Sequence, residues 1–174
     1  MVKVFVGFGS NLGDRFANFL QTQNRLQATA GVLQLKCSPL YLTEPLIRPN
    51  HSKSTKSNAE KNQKYLNAVL CFETTLQIRP LFQLLQDLEK QMGRTTGKGL
   101  WRPRTVDLDL LFYGDVIFLD ASLQIPHPAI PARRFVLQPL CDLAPDFVHP
   151  ELQLSIKKLL DLCDDPLMVW PAEQ

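Results

Sequence analysis

The stretch from Arg102 to Gly114, RPRTVDLDLLFYG, places two aspartates in a segment that is otherwise rich in Leu, Val and Phe. Side chains alternate between the two faces of a β-strand, so a strand here puts Asp107 and Asp109 on one face, about 7 Å apart. Two carboxylates on one face repel each other and are costly to bury unless cations or hydrogen-bond donors compensate them. The residues alone leave two interpretations open: a structural ion pair with Arg102 or Arg104, or a divalent metal site.

A glycine-rich, cationic segment runs directly into this strand, from Gly93 to Arg104. Besides Gly97 and Gly99, its notable residues are Arg94, Lys98, Trp101, Arg102 and Arg104. Such a segment is often only a solvated basic loop, but guanidinium groups also match phosphate oxygens, and an aromatic ring can cover a bound ring system. Mg²⁺ is typically held by one or two carboxylates together with substrate phosphates. Loop and aspartates together therefore predict a nucleoside triphosphate bound with magnesium.

A histidine and two arginines follow in IPHPAIPARRF, residues 125–135. A single histidine beside prolines more often packs or caps a turn than binds a ligand. His127 with Arg133, Arg134 and Phe135 nevertheless forms a candidate for a second phosphate-binding wall.

The turn GFGSNLGD, residues 7–14, has the glycines of a phosphate-binding turn. It lacks the Lys-Ser/Thr pair of a P-loop and the third glycine of a dinucleotide-binding fingerprint. We interpret it as a structural turn in which Asp14 caps the following helix.

The bulk composition favours one ordinary globular domain over residues 1–174. A net charge of +2 is too small to argue for a nucleic-acid partner, and we expect no membrane partner, because no run of 18 apolar residues occurs. The N-terminus lacks the features of a signal peptide, so we expect a cytoplasmic protein. The four cysteines have no CxxC spacing, which predicts buried, reduced thiols and no zinc site.

The hydrophobic periodicity predicts the elements that must position these residues. The expected order is strand, helix, strand, strand, helix, strand, which is typical of a ferredoxin-like α/β (α+β) sandwich with a mainly antiparallel sheet and helices on one face. The second strand should be interrupted near Pro39. After the aspartate strand, GDVIFLD resembles a hairpin partner, and two C-terminal helices follow. A polar stretch at about 47–64 predicts a long surface loop, either a lid or a tolerated insertion.

Several motifs in this order resemble the 6-hydroxymethyl-7,8-dihydropterin pyrophosphokinase family of folate biosynthesis. They are FGSNLGDR, YLTEPL, YLNAV, RPRTVDLDLLFYG and IPHPAIPARRFVLQPLCDLAP. The resemblance covers nearly the whole chain. It implies a ferredoxin-like monomer that transfers the terminal pyrophosphoryl group of ATP to the pterin hydroxymethyl oxygen and releases AMP.

The same resemblance assigns roles to individual residues. It implies two Mg²⁺ ions, bound with ATP by Asp107 and Asp109. The catalytic residues would be Arg94, Arg104, Asp107 and Asp109. The ATP contacts would come from Gln86, Glu89, Arg94, Trp101, Arg104, His127 and Arg133. The pterin contacts would come from Thr43, Leu46, Tyr65, Asn67, Trp101 and Phe135. From the residues alone, Gln86 and Glu89 fit a solvated helix face equally well.

Two features depart from the family pattern: the 47–64 stretch is longer than in bacterial members, and Thr96 replaces a frequent basic residue, for which Lys98 is a candidate substitute. Two other function classes were weighed. An RNA-binding module would need exposed base-stacking aromatics on the sheet, which the sequence lacks. A metal-dependent phosphohydrolase would use the same aspartates and arginines, but would consume nucleotide without a pterin.

Overall fold

The computed structural model describes residues 1–44, 64–93 and 105–173. Its elements, in chain order, are β1 (Val2–Ser10), α1 (Arg15–Gln27), β2 (Val32–Cys37), β3 (Tyr41–Thr43), β4 (Tyr65–Thr74), α2 (Ile78–Gln91), β5 (Asp107–Tyr113), β6 (Phe118–Leu119), β7 (Gln124–Ile125), α3 (Arg134–Leu143), α4 (Ile156–Leu162) and β8 (Val169–Pro171). A single 3₁₀ turn, Ile130–Ala132, precedes α3.

The local signals in the sequence set several element boundaries. The Asp14 carboxylate accepts a hydrogen bond from the Ala17 N–H at 3.0 Å, so the predicted cap of α1 is confirmed. The predicted interruption near Pro39 is also confirmed, because β2 and β3 are separate strands on either side of it. Within the gap, the Ser38 hydroxyl accepts the Val69 N–H at 3.0 Å and so keeps the chain attached to β4.

The main sheet has six strands in the order β5-β1-β4-β3-β8, with β2 also paired to β4. Every pairing in it is antiparallel, which confirms the mixed α/β class with a mainly antiparallel sheet. The two long pairings of β1, with β4 and with β5, place β1 between β4 and β5, and β5 is the edge strand on this side of the sheet.

Helices pack on both faces of this sheet, so the expectation of helices on one face is wrong. One face packs against α1 and α2 through Val4, Val6 and Phe8 of β1. Phe5 points to the other face, which packs against α3 and α4. The reason lies in β4 and β5, whose apolar side chains fall on both faces and need cover on both.

The predicted hairpin after the aspartate strand pairs differently. β6 pairs with β7 in a small second sheet instead of with β5. The edge of β5 is approached by the segment after β7, where the His127 N–H donates to the Leu111 carbonyl at 3.0 Å. This contact brings a predicted site residue next to the aspartate strand.

All four cysteines are free thiols, but only Cys163 among them is buried. The others are partly exposed, so the expectation of buried thiols holds for one of four; partial burial still raises the pKa of Cys37 to about 11. Among the described residues, no helix has both the length and the apolar character needed to cross a membrane.

Candidate active site

The two aspartates of β5 lie on the sheet face that α3 and α4 partly cover. Both are half-buried, while Leu108 and Leu110 between and after them point into the core on the opposite face. The alternation of the strand therefore leaves both carboxylates on one face.

Glycines of β1 face both aspartates across the sheet. Gly9 pairs with Asp107 and Gly7 pairs with Asp109, and paired residues of antiparallel strands point to the same face. A methyl group on Gly9 would lie 3.9 Å from both Oδ1 of Asn67 and Cβ of Asp107. The missing side chains leave the backbone of β1 as an open floor beside the carboxylates.

A first cavity of about 310 Å³ stands on this floor. Of the residues assigned by resemblance, it is lined by Thr43, Tyr65, Asn67, Asp107, Asp109, His127, Arg133 and Phe135. Tyr65 and Phe135 supply aromatic surface, and Asn67 supplies a polar group that is only 4% exposed. The Asn67 amide nitrogen donates to the Thr43 hydroxyl at 2.9 Å, which fixes the orientation of this amide. Flat rings with a polar edge match these walls.

A second cavity, of about 440 Å³, lies on the other side of the same carboxylates. It is lined by Gln86 and Glu89 of α2 and by residues of the β6–β7 hairpin, and it shares Asp107, Asp109 and His127 with the first cavity. Two ligands, one in each cavity, would therefore meet at these shared residues.

Glu89 is buried, with 3% of its surface exposed, so it does not lie on a solvated helix face. Its carboxylate accepts the Leu108 backbone N–H at 2.8 Å, between the two aspartates of β5. One of its functions is thus to hold the aspartate strand against α2.

His127 is fixed by two backbone contacts. Its N–H donates to Leu111, and its Nδ1 accepts the Ala129 N–H at 3.2 Å. Burial lowers the His127 pKa; Asp109 raises it in opposition, and Arg133 lowers it further. The net effect lowers the His127 pKa from its ordinary value, which favours the neutral ring.

The N-terminus of α3 contributes Arg133 and Phe135 to the first cavity, with the Arg133 guanidinium 5.7 Å from the Phe135 ring centre. Arg134 does not join them, so its place in the predicted phosphate wall is wrong. Its guanidinium donates to the carbonyls of Cys163 and Asp165, because the turn into α3 directs it towards the C-terminal segment.

Four predicted site residues lie outside the described residues: Leu46, Arg94, Trp101 and Arg104. Their roles remain predictions, as does an ion pair between Arg102 or Arg104 and the aspartates.

The sequence interpretation missed several lining residues of the first cavity: Gly7, Gly9, Asn11 and Leu167. Asn11 belongs to the turn at residues 7–14 that the sequence predicts to be structural, yet it lines the cavity. The alternation of β1 could have identified the glycines. On the face of Phe5, the large side chain is followed by Gly7 and Gly9, while the opposite face continues with Val6 and Phe8.

A family model described as 7,8-dihydro-6-hydroxymethylpterin-pyrophosphokinase (HPPK) matches residues 5–145. The chain belongs to this family. A pyrophosphokinase of this kind from Synechocystis sp. is 34% identical over 96% of the chain and 78% of its own length. One from Aquifex aeolicus is 30% identical over 91% of the chain and 90% of its own length.

Longer family relatives match as well. The folic acid synthesis protein fol1 of Schizosaccharomyces pombe is 36% identical over 90% of the chain, which spans only 20% of that relative. Among solved structures, HPPK-DHPS from Plasmodium falciparum aligns over 93% of the chain and 43% of its own length, with a TM-score of 0.67 and 15% identity. At that identity the likeness supports the fold alone.

Proposed function

We propose that the chain transfers the terminal pyrophosphoryl group of ATP to the hydroxymethyl oxygen of 6-hydroxymethyl-7,8-dihydropterin, releasing AMP, as a step of folate biosynthesis. The observation that carries the proposal is the pair of cavities that share Asp107, Asp109 and His127. A transfer between two substrates needs both of them beside one set of charged groups, and this arrangement provides it.

The first cavity suits the pterin. Tyr65 and Phe135 offer ring surfaces for stacking, and the buried Asn67 and Thr43 offer polar contacts to a ring edge. With Gly9 as part of the floor, a flat bicyclic ring can lie close to the backbone of β1. Its hydroxymethyl group would then point towards Asp107 and Asp109.

The second cavity suits ATP, with Gln86 and Glu89 on its α2 side. The His127 Nδ1 accepts the Ala129 N–H, so the ring proton lies on Nε2, which can donate to a phosphate oxygen. Arg133, which lines the first cavity, adds a positive charge near the shared carboxylates. We assign further phosphate contacts to Arg94 and Arg104, with Trp101 covering the site.

The donor set around the carboxylates fits magnesium. Two carboxylates on one strand face supply the hard oxygen ligands that Mg²⁺ accepts together with phosphates and water. Within residues 1–44, 64–93 and 105–173, no group of three or more His, Cys, Asp or Glu side chains could hold a metal. Asp107 and Asp109 would hold two Mg²⁺ ions that offset phosphate charge when bound with ATP, with substrate phosphates and water as further ligands.

The protein's own contribution to the reaction is positioning and electrostatics. The hydroxymethyl oxygen attacks the β-phosphorus, the bond from the β-phosphorus to the oxygen of the α-phosphate breaks, and AMP leaves while the hydroxyl proton passes to solvent. Asn67 and Tyr65 hold the acceptor, and Glu89 holds the strand that carries the two aspartates. No covalent intermediate with the protein is needed.

Further expectations accompany this function. The order β1, α1, β2, β4, α2, β5 supports a ferredoxin-like βαββαβ unit at the centre of the fold. A monomer in the cytoplasm, acting on small molecules without a nucleic-acid or membrane partner, remains a prediction.

The test is to incubate the protein with ATP, Mg²⁺ and 6-hydroxymethyl-7,8-dihydropterin and to separate the adenine nucleotides. The proposal predicts AMP in a one-to-one ratio with pterin diphosphate, and no nucleotide consumption without the pterin. ADP formation, or equal ATP consumption without the pterin, would indicate a phosphohydrolase or a different kinase instead.

A further inference from the structure

The C-terminal segment, residues 163–172, contains the edge strand β8 and also lines the first cavity. β8 pairs with β3, so that Val169 lies opposite Thr43, and the Ala172 N–H donates to the Leu40 carbonyl at 2.8 Å. Just before β8, Leu167 lines the first cavity. The segment lies beyond residues 5–145, where the family model matches.

One carboxylate joins this segment to α3. Oδ2 of Asp165 accepts the backbone N–H of Arg134, the first residue of α3, at 2.9 Å. Oδ1 of the same side chain accepts the Leu167 N–H at 3.1 Å. The residue at the helix cap, Arg133, makes no capping bond with its own side chain, so Asp165 supplies the acceptor that the helix start needs.

The Arg134 side chain reinforces the same junction. Its guanidinium donates to the backbone carbonyls of Asp165, at 3.4 Å, and of Cys163. Hydrogen bonds from two side chains, Asp165 of the segment and Arg134 of α3, therefore hold the segment against the start of α3.

This junction lies directly behind the wall of the first cavity. Arg133 and Phe135, the two neighbours of Arg134, both line the cavity, and Leu167 lines it from the segment itself. We propose that Asp165 is a positioning residue for the pterin cavity, and that Leu167 is a wall residue that contributes to its selectivity for the pterin ring. The inference rests on the function proposed above and assigns the C-terminal segment a part in it.

Neither residue lines the second cavity, so changing them should raise KM for the pterin more than KM for ATP, which is affected only through Arg133 beside the junction. A purely structural junction would instead lower stability and affect both substrates alike. The ratio of KM for the pterin to KM for ATP therefore separates a positioning function from a purely structural one.

The first experiment compares Asp165→Ala with Asp164→Ala. Asp164 is the adjacent aspartate and is exposed, so Asp164→Ala removes the same charge but leaves the junction intact. We expect Asp165→Ala to raise KM for the pterin about tenfold, the scale of one lost hydrogen bond to a charged group, with a clearly smaller rise in KM for ATP. Asp165→Asn, which retains one acceptor oxygen, should restore part of the difference. Asp164→Ala should match wild type.

The second experiment compares Leu167→Ala with Met168→Ala, whose side chain is 62% exposed. Pterin binding is titrated in the presence of Mg²⁺ and a non-hydrolysable ATP analogue. Loss of an apolar wall should weaken pterin binding by roughly tenfold in Leu167→Ala and leave it unchanged in Met168→Ala.

The outcomes separate this inference from the proposed function. If wild type turns over the pterin but Asp165→Ala and Leu167→Ala behave like their controls, or weaken both substrates equally, the inference is overturned and the function stands. If wild type neither binds nor turns over the pterin, both are overturned.

Discussion

The hydrogen bond from Leu108 to Glu89 is a buried polar contact between α2 and the aspartate strand, and its removal should damage both stability and catalysis. Glu89→Ala deletes the carboxylate that accepts the Leu108 N–H at 2.8 Å, in a position where Glu89 is 3% exposed. Glu89 also lines the second cavity, so water that enters from the cavity can replace only part of the lost acceptor.

The structure gives an expected magnitude. A buried N–H left without a partner costs about 1–3 kcal/mol, and lost packing of the side chain adds to it, so Glu89→Ala should lower the free energy of unfolding by about 2–4 kcal/mol. Glu89→Gln keeps an acceptor but loses the charge, and should cost about 1 kcal/mol. Because Leu108 lies between Asp107 and Asp109, a displacement of about 1 Å there should lower kcat roughly 100-fold in Glu89→Ala.

Urea unfolding and steady-state kinetics measure the two effects on the same samples. The matched control is Asp87→Asn, which also removes a carboxylate from α2 but breaks only exposed contacts with Gln83 and Lys90. Exposed contacts of this kind contribute little to stability. Wild-type stability and kcat in Glu89→Ala would refute the positioning function of Glu89. Wild-type stability with a raised KM for ATP alone would make it a nucleotide contact only.

Two further predictions concern the cavity floor and a buried histidine. Gly9→Ala should weaken pterin binding about tenfold or more and leave the unfolding midpoint nearly unchanged. The added methyl group fits the protein without ligand but occupies the cavity floor beside Asn67. Unchanged binding in a pterin titration would contradict this placement of the pterin. His149 is 2% exposed, and its Nδ1 accepts the N–H groups of Glu151 and Leu152, each at 3.3 Å. Burial lowers the His149 pKa below 6.5, so the unfolded chain binds the proton more tightly, and stability should fall as the pH decreases below 6.5. Urea midpoints at pH 7.5 and 5 should therefore differ more in wild type than in His149→Asn; an equal difference would remove His149 as the cause.

Much of the fold follows from local signals. The alternation of β1, the long apolar run of β4, the Asp14 cap and the break at Pro39 are all properties of a few neighbouring residues, and each gives the right element. The placement of Asp107 and Asp109 on one face follows from strand geometry alone.

The remaining features depend on contacts between distant segments. Local periodicity does not show whether β6 pairs with β5 or with β7. It also does not show the hydrogen bonds between Glu89 and Leu108 or between Asp165 and Arg134. The expectation of helices on one face was wrong although a local signal was present, because β4 is apolar on both faces and must be covered on both.

We propose above all that the carboxylates shared by the two cavities enable the transfer between them. Asp109→Asn tests it directly, with Asp115→Asn, an exposed aspartate in the turn after β5, as the charge-matched control. Pterin-dependent AMP formation should fall by about 10²–10⁴-fold in Asp109→Asn, with an unfolding midpoint near that of wild type, and should be unchanged in Asp115→Asn. Near-normal AMP formation by a folded Asp109→Asn protein would contradict the account.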